Sequence, residues 1–440
     1  MNAFISTRGA GPVTLAEAVF RGLAPDGGLY VPARLPGLSS HSPFASVADD
    51  IRPLAHRLAP ELFPTVAAEA LAGVVEQALD FPIPLVEVEP GRFVLELFHG
   101  PTHAFKDVGA RFMAALMVEL DAGSDVRRTV LVATSGDTGG AVASAYHGRE
   151  GYTVIVLFPH DRISERQRRQ MTTLGDNVHA LSVTGTFDDC QRMVKAAFSD
   201  RTLADRHHLT SANSINVARL LPQALYYIHA ASLLNGRSPS GGSGELPAPR
   251  FVVPVGNLGN LCAGLLAARV GMPNARFVAA GNANRSFVDF LDGAPFEARP
   301  AVMTTSSAMD VGMPSNLERL RWLYDGDNDA LRRAMLGVTV TDEQAALRIG
   351  ETWRRAGYML DPHTAVAYDA AARQGAGEAE PAVVLATAHP AKFPDVVEAV
   401  IGQAVQLPPG LRGSQARTER MRRIDATPQA LQTALQEIGA

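Results

Sequence analysis

Long apolar runs are missing from this 440-residue chain, and so is any marked excess of one charge. No segment approaches the ~18 consecutive apolar residues that span a bilayer, and the opening "MNAFISTRGAGPVT" lacks the basic start and apolar stretch of a secretory signal. No membrane partner is expected. A formal net charge of -5 at pH 7 gives no reason to expect nucleic acid. Cysteine is nearly absent: Cys190 and Cys262 stand far apart and in no metal-ligand spacing, so a disulfide framework and a thiolate metal site are both excluded. That usage fits a reducing cytoplasm. No internal repeat is present.

What remains is an ordinary globular composition, 46% hydrophobic and 19% charged, in a chain longer than one hydrophobic core usually serves. Short β-branched runs recur at 92–98, 129–134, 152–158, 251–255, 276–280 and 382–387, each followed by glycine, serine or histidine. Between them lie stretches with helical apolar spacing, such as "INVARLLPQALYYIHAASLL" and "VTDEQAALRIGETWRRAGYML", the second opening on Thr341 and Gln344 in capping-box spacing. Strands apolar on both faces, alternating with helices, predict an α/β protein with mostly parallel sheets. Residues 1–90, rich in proline and glycine turns and then in alanine, read as an amino-terminal subdomain. Residues 91–440 are expected to form two α/β lobes, the smaller and mobile one at about 108–215. "NGRSPSGGSGELPAPR" at 235–250 has linker composition, and the basic stretch "RGSQARTERMRR" reads as a solvated helical face.

Ligands of open α/β sheets bind beyond the carboxyl ends of the strands, which directs attention to four segments. "HGPTHAFKD", 99–107, holds one lysine, Lys106, at the start of an apolar helical pattern. A helix start disfavours an ammonium, and a shielded neutral amine can attack a carbonyl to form a Schiff base; a surface lysine paired with Asp107 is the plain alternative. "ATSGDTGG" follows a strand with Thr134, Ser135, Asp137 and Thr138, a loop that either receives an anion or simply turns into a helix. "PVGNLGN" places Gly256 and Gly259 before a helix without the dinucleotide fingerprint, so a phosphate of another kind, or a structural turn, is indicated. "ATAHPAKF" puts Thr387 and His389 at the end of the last strong strand. Together a lysine, two anion-cradling loops and a hydroxyl describe a pyridoxal phosphate site.

These segments, with "QMTTLGDNVHALSVTGTFDDCQ", "SANSINVARLLPQ" and the openings "FISTRG" and "GLAPDGGLYVP", resemble the threonine synthase family of the longer bacterial and fungal type, from about residue 3 to about residue 400. The resemblance implies a fold-type II pyridoxal 5'-phosphate enzyme of the tryptophan synthase β kind, a lyase that turns O-phospho-L-homoserine and water into L-threonine and phosphate. It implies that Lys106 tethers the cofactor and moves protons, that Gly256, Asn257, Leu258, Gly259 and Asn260 bind its phosphate, and that Thr387 faces its ring nitrogen. Thr102, Ser135, Asp137, Thr138, Asn213, Ser214, Asn216 and Arg219 fall on the substrate-binding stretches. Leu258 departs from the phenylalanine of many relatives, a change expected to matter little where the backbone N–H does the binding. Arg219 suits a phosphate clamp, or else a helix-surface ion pair. Asp188 and Asp189 read as cap and first-turn charges rather than paired acids. A related lyase releasing a keto acid, or a non-catalytic cofactor-binding relative, is the alternative. The expected protein is a cytoplasmic monomer or homodimer with a small-molecule substrate, no metal and no nucleic acid.

Overall fold

Most of the strands hold apolar residues at successive positions and can bury both of their faces. In the computed structural model, which describes residues 3–439 apart from 36, 38–48, 161–162, 237–248, 271, 273–274, 376 and 378–379, they assemble into three sheets. Thirteen strands are described: β1 (Phe4–Ser6), β2 (Tyr30–Pro32), β3 (Leu85–Glu89), β4 (Arg92–Glu96), β5 (Arg128–Ala133), β6 (Tyr152–Pro159), β7 (Val178–Thr184), β8 (Leu209–Ser211), β9 (Arg250–Pro254), β10 (Arg276–Gly281), β11 (Met335–Thr339), β12 (Ala382–Ala386) and β13 (Arg422–Asp425). Strands β1 and β2 pair antiparallel. A six-stranded sheet runs β11-β10-β9-β12-β4-β3, parallel except for β3, and a five-stranded parallel sheet runs β13-β7-β6-β5-β8.

Alternate residues of each strand serve opposite layers. In the six-stranded sheet Val252, Val278 and Val384 pack with Ala365 and Val366 of the helix Pro362–Arg373, while Phe251, Val253 and Leu385 join the core that holds Tyr227 and Leu261. In the five-stranded sheet Leu131 and Ile155 pack with Met193 and Leu431, and Val130 and Val154 face the other way. The expected stretch 108–215 supplies four strands of that sheet; the fifth, β13, comes from 422–425.

Several local expectations are met by the backbone. Thr341 caps the helix Asp342–Ala356 with Gln344 reciprocating, and Thr186 caps Phe187–Ser199 with Asp189 at the third position and Asp188 in the first turn. Two are corrected. The helix expected over 215–234 is two, Val217–Leu220 and Gln223–Gly236, because Pro222 has no N–H to carry the ladder across. The basic stretch 412–423 is not one helical face: the helix Pro409–Gln415 ends early, and Arg422 and Arg423 open β13. Most of the 235–250 segment lies outside the described residues.

The helix Lys106–Leu120 is the central wedge. Apart from Arg111 it is buried from Asp107 to Met117, and it packs against the helices Ala68–Ala78, Asp137–Tyr146 and Val217–Leu220. Gly109 permits a close approach to the last of these, since a Cβ there would lie 2.7 Å from the carbonyl oxygen of Arg219. Lys106 therefore starts a helix held on several sides at once.

Candidate active site

Neighbouring strands β4 and β12 run parallel, so the loops leaving their carboxyl ends emerge side by side. Residues 103–105 bridge to 387–389: the N–H of Phe105 donates to the Thr387 carbonyl at 2.9 Å and that of His389 to the His103 carbonyl at 3.1 Å. This pairing brings Lys106 and Thr387 to one place from positions far apart in the chain. Lys106 is only 15% exposed, its Nζ lying 3.7 Å from Asp137 Oδ2 and 4.7 Å from the Phe105 ring centroid. Burial pushes its amine toward the neutral form; the Asp137 charge opposes this, and the cationic Lys392 and Arg219 reinforce it.

Asp107 is not the partner of Lys106. Its buried carboxylate accepts from the N–H of Thr102 at 2.9 Å and from the Thr102 hydroxyl at 2.6 Å, and burial pushes its carboxyl upward. Gly100 is obligatory beneath it, because a Cβ would fall 2.5 Å from Asp107 Oδ2. The surface-pair reading of Lys106 is thus excluded. The Thr102 hydroxyl, expected at the substrate, is engaged in holding the loop.

The loop after β5 supplies Asp137 at the first position of the helix Asp137–Tyr146. Thr134 Oγ1 accepts from the N–H groups of Gly136 at 2.9 Å and Gly139 at 2.8 Å, fixing the turn. Asp137 Oδ1 is 2.6 Å from Lys392 Nζ and accepts from Gln167 Nε2 at 2.8 Å. The two lysines hold its carboxyl far below the ordinary carboxylate range although burial opposes them. Asp137 is thus held between the two lysines and Gln167. The half-exposed Ser135 and Thr138 hydroxyls have no partner among the described residues.

Past β8, Asn213 donates to the Ala133 carbonyl at 2.8 Å, and Ser214 Oγ accepts from Asn257 Nδ2 at 2.7 Å. Asn216, expected at the substrate, is fully buried and donates to the carbonyls of Val19 at 2.8 Å and Ser211 at 2.9 Å. Both its N–H groups are taken, and it holds the amino-terminal helix Leu15–Arg21 in place. Arg219 is different. Its guanidinium is 3% exposed and donates to the Ala212 carbonyl at 2.7 Å; its Nε has no partner, and no carboxylate lies within ion-pair distance among the described residues. A buried cation with spare donors is the ordinary receptor of an oxyanion. The helix-surface ion pair is excluded.

The loop after β9 is braced from beneath. A Cβ on Gly256 would lie 2.9 Å from both the Ala308 carbonyl oxygen and Met309 Cα. Asn257 Oδ1 accepts from the Ser315 N–H at 2.5 Å, and its carbonyl accepts from Asn316 Nδ2 at 2.9 Å. Leu258 adopts a left-handed φ of 60°, a conformation disfavoured for a side chain bearing a Cβ. The helix Gly259–Val270 begins there, and the N–H groups of Gly259 and Asn260 have no acceptor among the described residues. Asn260 Oδ1 is bonded by the Tyr226 and Tyr227 hydroxyls at 2.7 Å each, which leaves its buried Nδ2 as an unpaired donor. An open cleft of about 1540 Å3 reaches this region, with Ala133, Asn213 and Asn257 among its lining residues.

Four residues of this neighbourhood were not singled out from sequence: Lys392, Gln167, Asn316 and Arg319. Lys392 stood inside the quoted "AHPAKF", and an ammonium flanked by alanine and phenylalanine was the available signal.

A phosphate needs free N–H donors at a helix start, and an aldehyde needs a shielded amine; Gly259, Asn260 and Lys106 meet both needs, so pyridoxal phosphate fits the residues present. Residues 81–388 match the family model for "Pyridoxal-phosphate dependent enzyme". The two sheets and this site define a fold-type II pyridoxal phosphate enzyme. Residues 3–79 match the model "Threonine synthase N terminus" and 364–435 "Threonine synthase, C-terminal". The chain is 40% identical to the threonine synthase of Serratia marcescens over 400 residues, 91% of this chain and 90% of that protein. It also superposes on the crystal structure of pyridoxal phosphate-bound threonine synthase from Brucella melitensis with a TM-score of 0.89, 36% identity and 100% of each chain covered. The Escherichia coli threonine synthase structure gives 0.89 and 36% with 99% of each covered. The chain belongs to the threonine synthase family.

Proposed function

We propose that this protein converts O-phospho-L-homoserine and water to L-threonine and phosphate, with Lys106 as the residue that holds pyridoxal phosphate and then moves the protons. The observation that carries the reading is the buried Lys106 amine, pushed toward neutrality beside an ionised Asp137. The bound cofactor supplies an electron sink for the charge left at the substrate's Cα. Asn260 Nδ2 and the first N–H groups of the helix Gly259–Val270 hold the cofactor phosphate, with Gly256, Asn257 and Leu258 shaping that cradle. Thr387 offers a neutral hydroxyl to the ring nitrogen.

Arg219, with its unpaired Nε, takes the substrate phosphate, helped by Ser214 and Asn213. The free hydroxyls of Ser135 and Thr138 at a helix start receive the substrate carboxylate. Lys106 removes the α-proton; loss of a β-proton then lets phosphate leave Cγ, and protons returned to Cγ and Cα bracket the addition of water at Cβ. In the same reading residues 1–90 form a subdomain, and the lobe at about 108–215 closes over the substrate. The enzyme works in the cytoplasm as a monomer or homodimer, without nucleic acid.

Borohydride reduction of the cofactor-loaded protein tests the assignment: the cofactor should become fixed to the peptide containing Lys106. Lys106→Ala should leave a folded protein that fixes no cofactor and forms no threonine. Unchanged turnover in that variant would sink the assignment.

A further inference from the structure

Asp137 lies between two lysines, and the mechanism above uses only one. Lys392 follows the turn after β12, is fully buried, and sits 2.6 Å from Asp137 Oδ1 while donating to the Thr102 carbonyl at 2.9 Å. Gln170 donates to the same carbonyl at 2.9 Å, and Ser164 Oγ to the Lys392 carbonyl at 3.2 Å, so the lysine is fixed from both its own turn and the helix Glu165–Thr172. Lys106 Nζ, by contrast, stands 3.7 Å from the other carboxylate oxygen, beyond hydrogen-bond length.

We propose that Lys392 is a positioning residue for Lys106: by occupying and neutralising Asp137, it leaves Lys106 as the amine that need not carry a proton. The proposal rests on the reading of Lys106 given above. One carboxylate can balance one ammonium in a space shielded from water, and the contact lengths assign that ammonium to Lys392. Two charged lysines here, with the unpaired Arg219 nearby, would leave excess positive charge with little solvent to screen it. The charged groups facing Lys106 are Asp137, Lys392 and Arg219. Those facing Asp137 are the two lysines, with Gln167 as a neutral donor. Beyond Asp137 and Thr102, Lys392 also acts through space on Asp107, His103 and His389.

Without Lys392, Asp137 would have Lys106 as its nearest cation, and the amine would be drawn into the protonated state. With Asp137 also removed, that attraction disappears. A merely structural Lys392 predicts neither change.

The test is competitive labelling of amines by acetic anhydride across a pH series. It uses the full-length protein stripped of cofactor and shown to be folded by circular dichroism, with the Lys106 peptide quantified by mass spectrometry. Lys392→Met should raise the midpoint of Lys106 labelling by about one pH unit, roughly a tenfold loss of labelling at a fixed pH below it. Lys392→Arg should restore most of the loss, and Lys392→Met combined with Asp137→Asn should bring the midpoint back to the unsubstituted value or lower. In the loaded enzyme the acidic limb of kcat/KM should move upward with the labelling midpoint. An unchanged midpoint in Lys392→Met, whatever its thermal stability, overturns the proposal. Should that variant fail to fold, Asp137→Asn alone should lower the midpoint, and an unchanged value there overturns the proposal equally. Threonine formation surviving in Lys106→Ala would instead refute the functional reading, so the two failures are distinguishable.

Discussion

Lys106 is defined by what surrounds it. Its immediate neighbour Asp107 turns inward to Thr102, while Asp137, thirty-one positions further on, supplies the nearby carboxylate. Spacing along the chain could suggest the lysine but not this partner, because the contact is made by the packing of two helices, Lys106–Leu120 and Asp137–Tyr146. Histidines nearby report the same dryness. Burial pushes the His103 imidazole down to about 4, with the charge of His389 adding to it, and pushes His389 down to about 4, with His99 adding to it. Unfolded, both would bind protons near pH 6.5, so between about 6.5 and 4 the unfolded state holds more protons than the folded one. The stability they contribute is complete above pH 6.5 and is lost as the pH falls toward 4. The urea midpoint should decline across that window, and His389→Asn should decline less; parallel curves would contradict the burial argument.

At the scale of elements, the loops of the site are braced by one buried guanidinium. Arg319, in the helix Leu317–Leu323, is 1% exposed and donates to the Tyr30 carbonyl at 3.0 and 3.2 Å, to those of Ser214 at 3.0 Å and Ile215 at 2.5 Å, and to Asn316 Oδ1 at 2.9 Å. It ties β2, the Ser214 segment and Asn316, which supports the loop at Asn257, into one piece. Arg319→Met would strip several buried acceptors of their donor and should cost about 3 kcal/mol or more, read as a lowered denaturation midpoint together with weaker cofactor binding. Arg319→Lys should recover part of the stability, since an ammonium supplies three donors but not the planar fork. A midpoint unchanged in Arg319→Met would remove this brace from the account. The major strands were legible because burial on both faces leaves an apolar run in the sequence. Arg319 was not, because a buried arginine bonded to backbone carbonyls has no acidic partner in the sequence to mark it.

For the whole molecule, the helix Lys106–Leu120 wedges between the helices Ala68–Ala78, Asp137–Tyr146 and Val217–Leu220, and the carboxyl-terminal segment is tied to the helix Glu165–Thr172 and to the five-stranded sheet. Glu419 accepts from Arg168 at 2.9 and 3.0 Å and from Arg169 at 3.1 Å, and β13 then extends the five-stranded sheet beside β7. This strand was hidden in the basic stretch: of "RRID" only Ile424 is buried, and charged residues on an edge strand look like a solvated surface while they discourage further pairing. The class of fold was legible from strand, loop and helix order. The inward turns of Thr102 and Asn216 and the pairing of Asp137 with two lysines were not, since each depends on contacts between distant segments. The central claim is that these parts together make threonine. Purified protein incubated with pyridoxal phosphate and O-phospho-L-homoserine, with threonine, 2-oxobutyrate and phosphate all quantified, tests it most directly. The account predicts threonine and phosphate in equal amounts; phosphate accompanied by 2-oxobutyrate and ammonia, or no product at all, would contradict it.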